Sequence, residues 1–113
     1  AQSITQFLLQ NQIARKGLVI QKDSFLRASV TIMDPDGDDI EFIWQIIPES
    51  TDKKSGGDKE KSPQPIKGIF KKSDYSKNNI IFKLSKSGPY RLFLFAKDGQ
   101  GNVATGNIPF LIE

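Results

Sequence analysis

Three aspartates at alternate positions, Asp34, Asp36 and Asp38, surround Gly37 in the run Asp34-Pro35-Asp36-Gly37-Asp38-Asp39. Calcium takes about six to eight hard oxygen ligands, and alternate carboxylates on a tight glycine-containing turn converge several of them. Asp98, in a second Asp-Gly turn, is the natural further donor if both loops lie at one end of the fold. Asp34, Asp36, Asp38 and Asp98 are therefore the candidate cation site, with Ca2+ as its ion. The competing reading is turn geometry, in which the same oxygens bond nearby main chain. The run is not an EF-hand, because the later ligands of that loop are missing. Two carboxylates are also the minimum for hydrolysing a glycosidic bond. Here they crowd one turn with no cleft-forming sequence around them, so no catalytic residue is assigned and the chain is expected not to be an enzyme.

The composition narrows the chemistry further. The chain has 113 residues, no histidine and no cysteine. That removes Ser-His-Asp and Cys-His machinery, thiolate zinc sites and disulfides. A second candidate site is a pair of aromatics, Phe70 and Tyr75, beside Lys71 and Lys72, which offer a weak stacking surface for a sugar ring. The net charge of +3 hides strong segregation, with an acidic block over 34–41 and most lysines after residue 66. Those lysines are scattered through strand-like sequence without a nucleic-acid motif, so neither nucleic acid nor membrane insertion is expected. They suit solvent faces and strand edges. No apolar run approaches the ~20 residues of a membrane span. The chain opens directly on strand-like sequence, as expected of a mature or excised segment.

The elements that hold these residues read as strands throughout. Residues 25–33 alternate, placing Leu26, Ala28, Val30 and Ile32 on one face. After the aspartate turn, Phe42, Trp44 and Ile46 alternate with Ile43, Gln45 and Ile47, and Trp44 is expected in the core. Further strand signals occur at 4–9, 18–20, 66–70, 80–84, 90–97 and 103–112. Pro109 argues that the last of these lies at an edge or bulges. Residues 48–65 hold no residue of the hydrophobic set and eight charged ones, which predicts a long polar mobile loop. No helical period stands out. The fold expected is all-β: one domain over 1–113, an antiparallel two-sheet immunoglobulin-like sandwich of about seven strands.

If Tyr90, Leu92, Leu94 and Ala96 point inward, then Phe93 and Phe95 point out, as do Ile43 and Ile47 on the neighbouring strand. With Leu111 from the last strand, these residues form a candidate partner interface. Docking on another domain, cover by a loop or terminal segment, and a sugar-binding platform are the three ways to occupy it.

Several landmarks stand in immunoglobulin-like order over residues 25–113. Trp44 lies mid-strand, and Gly88-Pro89-Tyr90-Arg91-Leu92 resembles the Gly-x-Tyr opening of a penultimate strand in polycystic-kidney-disease-type domains. Asp-Gly turns precede both the tryptophan strand and the last strand. The chain thus resembles the immunoglobulin-like (polycystic-kidney-disease or fibronectin-III-like) accessory β-sandwich domains of bacterial secreted glycoside hydrolases. It departs from the polycystic-kidney-disease pattern after Trp44, where Gln45-Ile46-Ile47-Pro48 replaces Asp-Phe-Gly-Asp. The resemblance implies a tyrosine corner at Tyr90 and a non-catalytic accessory or spacer domain, often C-terminal. Such a domain packs against the catalytic domain of a larger secreted carbohydrate-active enzyme, in a secreted, periplasmic or cell-surface setting. A carbohydrate-binding module and a calcium-stiffened cell-surface or adhesion module are the alternatives.

Overall fold

In the computed structural model, residues 3–13, 17–33, 39–49 and 65–113 are described. Asp34, Asp36 and Asp38 lie outside them, as does most of the expected loop 48–65. Seven strands form among the described residues: β1 (Ser3–Leu9), β2 (Val19–Ile20), β3 (Phe25–Met33), β4 (Glu41–Pro48), β5 (Asn79–Lys83), β6 (Gly88–Lys97) and β7 (Val103–Ile112). They make a three-stranded sheet in the order β1-β3-β5 and a four-stranded sheet in the order β2-β7-β6-β4. The first five strands alternate between the two sheets and β6 and β7 both join the four-stranded one, which gives the immunoglobulin-like sandwich expected. No described helix is long and apolar enough to cross a membrane.

Period-two alternation builds the core. Leu26, Ala28 and Val30 from β3 and Ile80 and Phe82 from β5 face Phe42, Trp44 and Ile46 from β4. Leu92, Leu94 and Ala96 from β6 and Ile108, Phe110 and Ile112 from β7 complete the opposing layer. Trp44 is only 1% exposed. Its ring lies 6.1 Å from that of Phe7, and its Nε1 donates to the Lys77 carbonyl at 3.2 Å. Tyr90 forms the corner: its hydroxyl donates to the Lys86 carbonyl at 2.8 Å while its ring stacks on Phe110. Burial of that ring raises the Tyr90 pKa, because removal from water disfavours the phenolate.

Three details depart from the antiparallel scheme read in the sequence. First, β2 runs parallel to β7, with Val19 opposite Leu111 and Ile20 opposite Ile112. Second, Pro109 sits inside a strand that has neighbours on both sides. Leu111 N points toward β2, where it donates to the Leu18 carbonyl at 2.9 Å. Position 109 has the same parity, so its missing N–H faces that side too. There β2 has not begun, since it reaches only Leu111 and Ile112. The strand is an edge just where the proline needs one. Third, 66–70 is not a strand. Ile66 N donates once to the Ile46 carbonyl, and Gly68 at φ +85° then turns the chain away. Ile66, Ile69 and Phe70 still pack on the core, but from a turn. A short 3-10 helix, Lys72–Ser76, follows, and no sequence period announces it. Asp74 stabilises its start, its Oδ2 accepting from Lys71 N at 2.9 Å.

Candidate functional site

The outer face of the four-stranded sheet is the larger candidate. The antiparallel register of β4 and β6 puts Ile43 opposite Phe95, Gln45 opposite Phe93 and Ile47 opposite Arg91. Phe93 and Phe95 stand two residues apart on one strand, their ring planes nearly parallel at 9° with centroids 6.4 Å apart. Ile43, Phe93 and Phe95 therefore form a continuous ridge, each side chain half-buried by its neighbours. Ile47 is separated from the phenyl pair by polar groups. Arg91 Nε donates to Glu49 Oε1, and its Nη1 donates to Asn107 Oδ1 at 2.7 Å. This network links the residue just after β4 to β6 and β7, and it fixes the guanidinium over the sheet. Leu111, 36% exposed, lies beyond it in a second apolar strip with Pro89 and Val19. The five expected interface residues thus share one face, but as two patches with a charged bar between them.

Asp98 lies at one end of the sandwich, in the loop joining β6 and β7. Its Oδ1 accepts from the main-chain N of Gln100 and of Asn102, each at 2.9 Å. Its Oδ2 accepts from Asn102 Nδ2, also at 2.9 Å. Gly101 at φ +89° supplies the left-handed step that lets the loop fold over the carboxylate. The Asn102 side-chain hydrogen bond, followed by the main-chain bonds from Asn102 and Gln100, lowers the Asp98 pKa despite partial desolvation. Among the described residues, no three acidic groups converge on a cation position. What Asp98 visibly does is organise its loop.

This role has a pH signature. A carboxylate whose pKa is lower when folded stabilises the fold above its unfolded value, about 3.9. That contribution disappears as the pH falls through the lower folded value. Melting temperatures of the wild type and Asp98→Ala are expected to differ at pH 7 and to converge below about pH 4. An equal gap at pH 2.5 would show that the carboxylate charge is irrelevant.

The two expected sugar-stacking aromatics have different placements. Phe70 is half-buried and meets Phe82 edge-on, with centroids 5.6 Å apart, so its ring serves the core. Tyr75 is half-buried in the 3-10 helix. It lines a shallow depression with Ile40, Glu41, Lys72, Lys97 and Asp98 at the Asp98 end, and a second with Trp44, Ile66 and Phe70. The two rings do not present one flat platform.

With the geometry in view, comparison with known proteins adds little. No protein family and no curated protein matches the chain. Among solved structures, the chain is similar to the crystallised soluble domain of PmoD from Methylocystis sp. (Rockwell). That match has 16% identity and a TM-score of 0.48, and it covers 84% of this chain and 77% of the other.

One surface escaped the sequence reading. On the outer face of the three-stranded sheet, Phe25 is 69% and Ile81 56% exposed. Alternation in 25–33 marks the buried set and leaves Phe25 outside it. A phenylalanine in the outward phase was the available signal.

Proposed function

We propose that this chain is a non-catalytic accessory domain that docks on a neighbouring domain of a larger protein. The docking surface is the outer face of its four-stranded sheet. The Ile43–Phe93–Phe95 ridge carries this reading. Its rings are stacked, and its side chains stand in the outward phase of β4 and β6, on the side away from the core residues Phe42, Trp44, Leu92 and Leu94. The Arg91–Glu49–Asn107 network beside the ridge supplies a polar rim of the kind that borders docking surfaces. The absence of histidine and cysteine from the chain suits a role in support rather than catalysis. The parent in this reading is a secreted bacterial carbohydrate-active enzyme. That setting follows from the resemblance of the Trp44, Gly88-Pro89-Tyr90 and Asp-Gly landmarks to such accessory domains.

The test is Phe93→Ser with Phe95→Ser in the parent protein, followed by limited proteolysis between domains and by small-angle scattering. Burying one phenylalanine is worth about 1.5–3 kcal/mol, so the double change should shift the docked–undocked equilibrium at least ~10-fold. Faster interdomain cleavage and a larger radius of gyration are expected, with the domain itself still folded by Trp44 fluorescence. Unchanged cleavage and an unchanged radius would remove the docking role. Binding of the isolated chain to neutral polysaccharides, lost in Tyr75→Ala, would favour a carbohydrate-binding module instead.

A further inference from the structure

Among the described residues the three-stranded sheet ends at β5, with no further strand paired to that edge. Val30 N donates to the Asn78 carbonyl at 2.8 Å, which makes Ser29–Asn79 a non-hydrogen-bonded pair in the β3–β5 ladder. Ile80 and Phe82 therefore bond to β3, whereas Asn79, Ile81 and Lys83 turn their main-chain N–H and C=O groups outward. Among the described residues nothing pairs with these groups. An immunoglobulin-like sandwich of constant type carries a further strand at this position.

The adjoining face has a defined character. Phe25 stands opposite Lys83, and Arg27 stands opposite Ile81. The Lys83 ammonium lies 4.6 Å from the centre of the Phe25 ring. Gln10 fixes the neighbouring backbone, its Oε1 accepting from Arg27 N at 2.7 Å and its Nε2 donating to the Phe25 carbonyl. The three strands together contain two basic residues and no acidic one. Neither Arg27 nor Lys83 takes part in an ion pair with another described residue.

We infer that the β5 edge receives an extended, acidic–apolar segment of a partner protein as a fourth strand of this sheet. Strand addition uses the unpaired main-chain row for affinity and alternate side chains for selection. An incoming strand places every second side chain on the outer face. There a carboxylate meets Lys83 and Arg27, and an apolar group meets Ile81 and the exposed edge of Phe25. A second copy of this chain brings another Arg27 and Lys83, and its own three strands carry no carboxylate to meet them. A sugar ring finds the face of Phe25 already occupied by the Lys83 ammonium.

The probe is an eight-residue peptide with threonine at every second position and glutamate and valine in turn between them, so that both kinds share one face of the added strand. The control has lysine in place of glutamate, and each is titrated into the 113-residue chain and followed by amide NMR. The acidic peptide should shift the Asn79, Ile81 and Lys83 amides and slow their hydrogen exchange by about tenfold or more. The control should do neither. Arg27→Glu with Lys83→Glu should reverse the preference, and Ile81→Pro, which deletes one edge donor at an exposed position, should abolish binding of both. Trp44 fluorescence checks that each variant folds. The inference is overturned if the acidic peptide leaves these amides unchanged at millimolar concentration, or if both peptides bind equally. Protection of the same amides on concentrating the protein alone would overturn it in favour of self-pairing.

Discussion

Trp44→Ala should lower the unfolding free energy by about 3–5 kcal/mol, the usual cost of truncating a large buried aromatic. Total stability for a domain of this kind is only about 5–15 kcal/mol, so the variant sits close to the point of unfolding. Two losses combine. The indole is 1% exposed and contacts the Phe7 ring, so its removal opens a cavity between β4 and β1. Its Nε1 is also the donor to the Lys77 carbonyl, and that carbonyl ends the 3-10 segment leading into β5. Urea unfolding followed by circular dichroism reads the effect as a fall in midpoint at constant slope. Phe95→Ala, a change of similar size on the half-buried outer face, should cost much less. A Trp44→Ala loss below about 1 kcal/mol would mean that the indole is not the centre of the core.

Gly106→Val should be the next most damaging change, at about 1–3 kcal/mol. Gly106 lies on β7 opposite Leu94, in the inward phase, where a side chain would be expected. A Cβ built there comes within 2.8 Å of Phe7 Cδ2 and 3.2 Å of Phe7 Cε2. Ile4 Cδ1 is next, at 3.5 Å. The Phe7 ring therefore takes the volume that position 106 leaves empty. Its room to move is limited, because the Trp44 ring packs against it with centroids 6.1 Å apart. A double-mutant cycle is decisive. In a Phe7→Leu background, which withdraws part of the ring, Gly106→Val should cost clearly less, leaving a coupling of about 0.5–3 kcal/mol. Additivity of the two changes would show that the crowding is relieved elsewhere.

Much of this fold is legible in the chain because the alternation is clean. Residues 25–33 match β3 residue for residue, and the buried Trp44 and the Tyr90 corner appear where strand phase and the Gly88-Pro89-Tyr90 signal place them. Misreading enters where apolar residues are close in sequence but not alternating. Ile66, Ile69 and Phe70 have strand-like composition, yet Gly68 bends the segment so that all three reach the core from a turn. The Lys72–Ser76 helix is a single polar turn, too short to impose a period. Long-range choices are harder still. Nothing local in Leu18-Val19-Ile20 specifies a parallel neighbour, because its partner lies some ninety residues away. The candidate interface follows the same logic. Strand phase brings Ile43 and Phe95 together, whereas the bar that separates Ile47 depends on Glu49, just beyond the end of β4.

The parallel pairing of β2 with β7 has a mechanical consequence. Leu111 N donates to the Leu18 carbonyl, Glu113 N to the Ile20 carbonyl and Lys22 N to the Glu113 carbonyl. The three bonds lie in a row along strands that point the same way. Tension entering through the segment before β2 and leaving through the end of β7 pulls these strands in opposite directions along their common axis. The bonds are then loaded together, in shear, instead of one after another as in the peeling of a hairpin. Forced extension is governed by the unfolding rate, and shear loading opposes that rate with all three bonds at once. A two-residue strand thus becomes a latch that holds the two segments together against such a pull.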